Sequence, residues 1–345
     1  MSLGASPLPS PDPVQHVFQL ATGYMASAVL NVVVKLNLAD RMAAKPKTAE
    51  QLAAETGVNA GALYRGMRLL ASVGLFEEDY AHRFVLTPLG EPLRSDSKNS
   101  VRDSIEWICD PLHFRIYAET PHAFHTGETV DRRVLGKPIF DYLSQDRSEG
   151  DVFDRAMTSF TASMIPALPD AYDFSRIKTL VDVGGGHGSF LTAVLQRNPA
   201  LQGILYDMPP VASGANETFE RAGVLNRCSV QSGDFFQSVP AGGDAYMLKL
   251  IIHDWADEPA LKILRNCHQA LEGVNGGRLL IMDAVIAPGN EPHFMKFVDI
   301  EMLLLPGGVE RTAKEFRELL GRAGFRVTQI TPTPCPLSIV EAVCA

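Results

Sequence analysis

The chain has 345 residues, 46% of them hydrophobic and 21% charged, with 31 Lys and Arg against 40 Asp and Glu for a formal charge of −9. These values exclude a disordered chain or a fibre, and the length leaves room for about two domains. The acidic balance excludes a general grip on nucleic acid or on an anionic membrane surface.

Residues 1–13 hold four prolines and predict a flexible leader without the basic and apolar regions of a secretory signal. No unbroken apolar run reaches the length of a membrane span. Five scattered cysteines (Cys109, Cys228, Cys267, Cys335, Cys344) form no CxxC pair. A disulfide framework or structural zinc site is not expected, and the chain is expected to be soluble and cytoplasmic.

Residues 14–44 predict a helical segment, and residues 26–42 are apolar on nearly every side. Such a helix must be covered all round, which predicts a homodimer. Thr48 and Gln51 mark a capping box, Asn59 can cap the helix ALYRGMRLLASVG, and LFEEDYAHRFVLTPLG predicts a hairpin. This order is that of a winged helix. Residues 1–100 carry nine basic and nine acidic residues, and the wing begins Glu77, Glu78, Asp79. Phosphate contacts dominate DNA affinity, so this domain is expected to serve dimerisation and to bind no nucleic acid. Residues 101–175 predict an aromatic-rich helical linker, and residues 176–345 a catalytic domain.

From Thr179 onward seven apolar runs alternate with helical stretches, from TLVDVG to LSIVEAVC. The pattern predicts an α/β Rossmann-like domain with a seven-stranded, mainly parallel sheet. The last two runs are joined only by TPTPCP, too short for a crossover helix, and are expected to pair antiparallel. The first strand ends in LVDVGGGHGSF, where Gly184, Gly186 and Gly188 form GxGxG. The dinucleotide fingerprint GxGxxG is not met, which favours a nucleotide without a pyrophosphate. Asp207 ends the second strand 19 residues past Gly188 and suits ribose hydroxyls. Asp234 ends the third strand, where it could accept from an adenine amine with Phe235 against the ring. Each acid alone could be a helix cap. A glycine loop, an Asp and an Asp at three successive strand ends together point to S-adenosylmethionine (SAM).

The fourth run ends in MLKLIIHDWADE, which brings His253 and Asp254 to the same edge. Asp283 ends the fifth strand and Glu310 follows a Gly-Gly turn in PGGVERTAKEF. A histidine with two converging carboxylates is a candidate general base. His122 and His125 have metal-pair spacing, but no third ligand is evident and no metal is expected.

DVGGGHG, YDMPP, GDFF, HDW and GGVERT together resemble the metal-independent small-molecule O-methyltransferases. Among these are plant caffeate and flavonoid enzymes, acetylserotonin methyltransferase and bacterial enzymes that tailor aromatic polyketides, phenazines and mitomycin-like compounds. The likeness spans nearly the whole chain. It implies that the Gly184–Gly186 loop, Asp207, Asp234 and Phe235 bind SAM, with Lys249 near the adenine edge and Thr161 beside the methionine carboxylate. It implies His253 as base flanked by Asp283 and Glu310, with S-adenosylhomocysteine as co-product. It places Phe153, Met157, Phe160 and Met302 on substrate-lining positions, with Trp107 and Ile108 near others. Two departures stand out: Asp283 occupies a position where plant enzymes have Glu, and the loop after Met302 is about a residue shorter. The expected reaction is methylation of a hydroxyl, phenolic by acidity, on a small aromatic acceptor. The competing readings are a SAM-binding relative that hydroxylates or catalyses a pericyclic step, a winged-helix regulator, and a Mg²⁺-dependent transferase.

Overall fold

A computed structural model describes residues 12–164 and 167–345. The chain divides into two compact units, residues 1–114 and 115–345.

In the first unit α1 (Pro13–Lys35) is followed by α2 (Leu38–Met42), β1 (Lys47–Thr48), α3 (Ala49–Thr56), α4 (Ala60–Ser72), the hairpin β2 (Phe76–Glu78) and β3 (Arg83–Leu86), and α5 (Arg102–Ile108). The predicted leader lies outside the described residues except at its end. There Asp12 accepts the Val14 N–H and Pro13 opens α1. The predicted capping box and the Asn59 cap both form. The helical stretch over 14–44 is broken, because Asn37 takes a left-handed conformation (φ 53°). Asparagine tolerates that region better than most residues, and the chain turns there without glycine or proline.

The break sorts the apolar residues differently from the expectation. Val33, Val34, Leu38, Ala39 and Met42 pack into this unit's own core with Leu52, Met67, Leu70, Phe76 and Phe84. The exposed apolar face lies earlier, on Val14, Val17, Phe18, Leu20, Tyr24 and Met25. By length and mean hydropathy (1.6 over its most apolar window) α1 is long and apolar enough to cross a membrane, although polar residues interrupt the run.

The chain continues through α6 (Pro111–Ala118), α7 (Thr120–Thr126), α8 (Asp131–Leu135), α9 (Ile139–Gln145) and α10 (Arg147–Met164). Then β4 (Thr179–Val183), α11 (Ser189–Arg197), β5 (Gln202–Asp207), α12 (Pro209–Ala212), α13 (Ala215–Arg221), β6 (Cys228–Ser232), β7 (Ala245–Lys249), α14 (Asp257–Leu271) and β8 (Arg278–Asp283) follow. The last elements are α15 (Met295–Leu304), α16 (Ala313–Arg322), β9 (Phe325–Pro332) and β10 (Ser338–Cys344). The seven-stranded sheet runs β6-β5-β4-β7-β8-β10-β9. Pairing is parallel from β6 to β8, and β10 is antiparallel to both β8 and β9.

Alternate residues of each strand feed opposite cores. Leu180, Leu205, Met247 and Leu280 pack with Phe190 and Leu191 on one face. Val181, Tyr206, Leu248 and Ile281 pack with Leu261, Leu264 and Phe316 on the other. Strands covered by helices on both faces are apolar throughout, which is why the sequence shows runs rather than alternation. Strand order reverses at β4, with β5 on one side and β7 on the other, so a crevice opens beyond its carboxyl end.

Candidate active site

The glycine loop leaves β4 at that switch point. Gly184 (φ 72°) donates its N–H to the Tyr206 carbonyl at 2.8 Å, and Gly186 has φ 61°. Both values favour glycine. A side chain at Gly184 would meet Ile251, whereas one at Gly186 would meet nothing within 4 Å, so the loop is open on that side. Asp207 is tied to this loop: its Oδ2 accepts the Gly186 N–H at 2.8 Å and its Oδ1 the Met208 N–H at 2.7 Å. Burial pushes its pKa up and those two bonds oppose the push. Each carboxylate oxygen keeps a further lone pair for a ligand hydroxyl. These features fit the ribose and backbone of a nucleoside cofactor.

Asp234 has a structural task as well, since its Oδ1 accepts the Phe236 N–H at 2.8 Å. The Phe235 ring edge lies 3.6 Å from where a Gly184 side chain would begin, and the ring meets Phe236 edge-on at 4.9 Å. Lys249 Nζ donates to Thr161 Oγ1 at 3.1 Å. The resemblance assigned these two to different ends of the cofactor, and the bond joins them at one place. Burial pushes the Lys249 pKa down, opposed by Asp182, Asp283 and Asp254. Asp182, the next-to-last residue of β4, is fully buried with no hydrogen bond to either carboxylate oxygen, and burial raises its pKa to about 7.

After β7 the backbone turns sharply at Leu250, which sits in the left-handed region (φ 53°), and a single 3₁₀ turn over Ile252–Asp254 presents His253. The imidazole is buried. Its Nδ1 lies 2.8 Å from Glu310 Oε1 and its Nε2 3.4 Å from Asp254 Oδ1. With Nδ1–H donated to the Glu310 carboxylate, Nε2 of a neutral ring is free to take a proton. Asp283 acts elsewhere on the residue, its Oδ2 accepting the His253 backbone N–H at 3.1 Å. Thus Glu310 orients the ring and Asp283 holds the turn, a division of labour the sequence did not reveal. Burial alone would push the imidazole down. The charge of Asp254, the Glu310 bond and the charge of Asp283 more than reverse this, to about 10. Burial lifts Asp254 and Asp283 each to about 6 against the pull of His253.

Residues 308–310 close on the same turn. The Val309 N–H donates to the His253 carbonyl at 2.9 Å, and a side chain at Gly308 would overlap that carbonyl and the Asp254 backbone. Asp254 and Gly308 were quoted in motifs but given no role. Their signals were the HDW and GGVERT strings, whose meaning depends on a contact between distant segments. The Met302 carbonyl accepts both the Gly307 and Gly308 N–H groups, and Met302 itself is buried on α15. On α10, Phe153, Met157 and Phe160 recur at helical spacing and are half-buried. Phe153 meets Phe140 edge-on at 6.3 Å, and Phe140 lies 5.7 Å from Trp255, beside the His253 turn. Trp107 and Ile108 belong to the first unit, where Trp107 is buried edge-on against His113 and Ile108 is exposed.

The fold and this site define a methyltransferase of the Rossmann-like class. A family model described as an O-methyltransferase domain matches residues 117–326, and one described as an O-methyltransferase dimerisation domain matches residues 18–96. A phenazine O-methyltransferase of Lysobacter antibioticus is 42% identical over 339 residues, covering 98% of this chain and 97% of the relative. The solved structure of a mitomycin 7-O-methyltransferase superposes with a TM-score of 0.89 at 34% identity, covering 96% of this chain and 98% of that one. An O-methyltransferase from neocarzinostatin biosynthesis, solved with SAM and 2-hydroxy-5-methyl naphthoic acid, gives a TM-score of 0.81 at 32% identity over 93% and 96% of the two chains. The chain belongs to the O-methyltransferase family and is an O-methyltransferase with a dimerisation domain. Among the described residues no cluster of side chains has the makings of a metal site.

Proposed function

We propose that the protein methylates a phenolic hydroxyl of a small aromatic acceptor, with His253 as general base and SAM as donor. When bound, SAM supplies an electrophilic methyl group on a sulfonium. The Gly184–Gly186 loop and Asp207 would hold its ribose, and Asp234 and Phe235 its adenine. Lys249 and Thr161 would share the methionine carboxylate, because an ammonium with a hydroxyl suits an anion and an adenine edge offers none. Phe153, Met157, Phe160 and Met302 are proposed to line the acceptor site.

The observation that carries this reading is the carboxylate cage around His253. A phenol has a pKa of about 10 and an ordinary histidine about 6.5, so proton transfer between them is uphill by roughly 5 kcal/mol. The charges of Asp254, Glu310 and Asp283 raise the proton affinity of the imidazole, so that once the ring is neutral it is a stronger base than an ordinary histidine and the gap narrows. Nε2 then accepts the acceptor's proton while Glu310 keeps the ring from turning. Alignment of the two substrates supplies the larger share of the rate.

The exposed apolar face of α1 supports a homodimer formed through the first unit, since a face of that kind is covered in a working protein. The acidic wing supports a role without nucleic acid. Purified protein incubated with SAM and a panel of phenols and hydroxyquinones is expected to add one methyl group to an acceptor and to form S-adenosylhomocysteine. Mass spectrometry reads both. A hydroxylated or rearranged product without S-adenosylhomocysteine would overturn the reading.

A further inference from the structure

Residue 311 follows Glu310 and is among the largest fully buried side chains of the protein. Burying a guanidinium is costly unless its donors are well spent. Arg311 Nη1 donates to the Ile252 carbonyl at 3.0 Å, and Nη2 to the Trp255 carbonyl at 2.9 Å. These carbonyls lie immediately before and immediately after the His253–Asp254 pair. A third bond runs from Nη2 to Asp257 Oδ1 at 3.0 Å, at the start of α14. The Arg311 backbone is itself anchored, its carbonyl accepting the Ile286 N–H at 3.1 Å just past β8. The Glu310 N–H is likewise fixed, on Asp299 Oδ1 at 2.8 Å.

We propose that Arg311 is a positioning residue that clamps both ends of the catalytic turn and so holds His253 in register with Glu310. The inference rests on His253 being the base. The planar fork is what the task needs, because one rigid group must satisfy two carbonyls on opposite sides of a tight turn. A lysine has the charge but a single donor head. Two neighbours in sequence thus act on one histidine, Glu310 through the ring and Arg311 through the backbone. Side chains that orient a reacting group in this way are commonly worth about 10–100-fold in activity.

The test uses Arg311→Met and Arg311→Lys in the full chain. For Arg311→Met we expect kcat to fall at least about tenfold, with affinity for S-adenosylhomocysteine by calorimetry within about twofold of wild type, and Arg311→Lys to recover part of the loss. A second readout is independent of turnover: NMR titration of ¹⁵N-labelled histidine. In Arg311→Lys the His253 titration is expected to move down by about one pH unit as its carboxylate contacts loosen. The titration still decides if Arg311→Met fails to fold, or if no phenol proves to be a substrate of the wild type. The proposal is overturned if Arg311→Lys matches wild type in both kcat and His253 titration. It is equally overturned if activity and S-adenosylhomocysteine affinity fall together, which is the mark of general loosening.

Discussion

Gly308 lies against the backbone of His253 so closely that a methyl group on it would overlap the His253 carbonyl oxygen. The contact lets the Val309 N–H reach that carbonyl and brings Glu310 within 2.8 Å of the ring. Gly308→Ala must push the two segments apart. It is expected to cost about 1–3 kcal/mol of stability, as overpacking does, and to lower kcat more than cofactor affinity. Thermal melting and calorimetry with S-adenosylhomocysteine measure the two effects. A variant as active as wild type would show that the close approach is not required.

Removal of the proposed base is expected to separate chemistry from binding. His253→Gln is expected to lower kcat by about 10²–10⁴ while leaving S-adenosylhomocysteine affinity within a few-fold. Steady-state kinetics on a phenolic acceptor supply the first number. Wild-type turnover in this variant would remove His253 from the mechanism.

The cage around the imidazole has a pH signature. A ring whose pKa is raised to about 10 is protonated in the free enzyme at neutral pH, and only the neutral ring can accept a proton. Log kcat/KM is therefore expected to rise with pH through the neutral range and to level off only in alkaline solution. Glu310→Gln removes one of the charges that hold the proton on. Its acidic limb should move to lower pH by about one unit or more, with a lower plateau because the base is weaker. Coincident limbs would mean that Glu310 does not set the basicity of His253.

Asp182 gives a stability test. Its carboxyl titrates at about 7 in the fold, against about 3.9 in an unfolded chain. A raised pKa of this sign contributes stability that is fully present below about 3.9 and lost as pH rises through 7. Asp182→Asn lacks that loss. Urea unfolding at pH 5 and pH 8 should show the difference between the variant and wild type shifting in the variant's favour at pH 8. Between those two pH values the upper bound on that shift is about 3 kcal/mol, for the stretch from pH 5 to about 7 at 1.36 kcal/mol per unit. A gap equal at both pH values would place the titration elsewhere.

The parts of this protein that could be read from the sequence are those written in local patterns. Seven apolar runs gave seven strands, and the short TPTPCP link gave the antiparallel pair, because periodicity and connection length act within a few residues. Asp207 and Asp283 end their strands as alternation placed them, whereas the third strand stops at Ser232, two residues before Asp234. What was hidden depends on partners far along the chain. Nothing local in GGVERT says that Gly308 and Val309 press on a turn more than fifty residues earlier, or that Arg311 spans it. Asp283 was expected to flank His253 without a stated contact and is found on its backbone N–H, a detail set by the direction of one carboxylate. The break at Asn37 went unforeseen because asparagine carries no obligatory turn signal.

The Met302 carbonyl is bonded to both Gly307 and Gly308, so the end of the helix proposed to face the acceptor and the strap over the histidine turn are joined through their backbones. An attempt to transplant acceptor preference by exchanging α15 alone with that of a relative would leave a foreign helix pulling on a native strap. A chimaera that takes the stretch through Arg311 as one cassette keeps the base aligned while the acceptor wall changes.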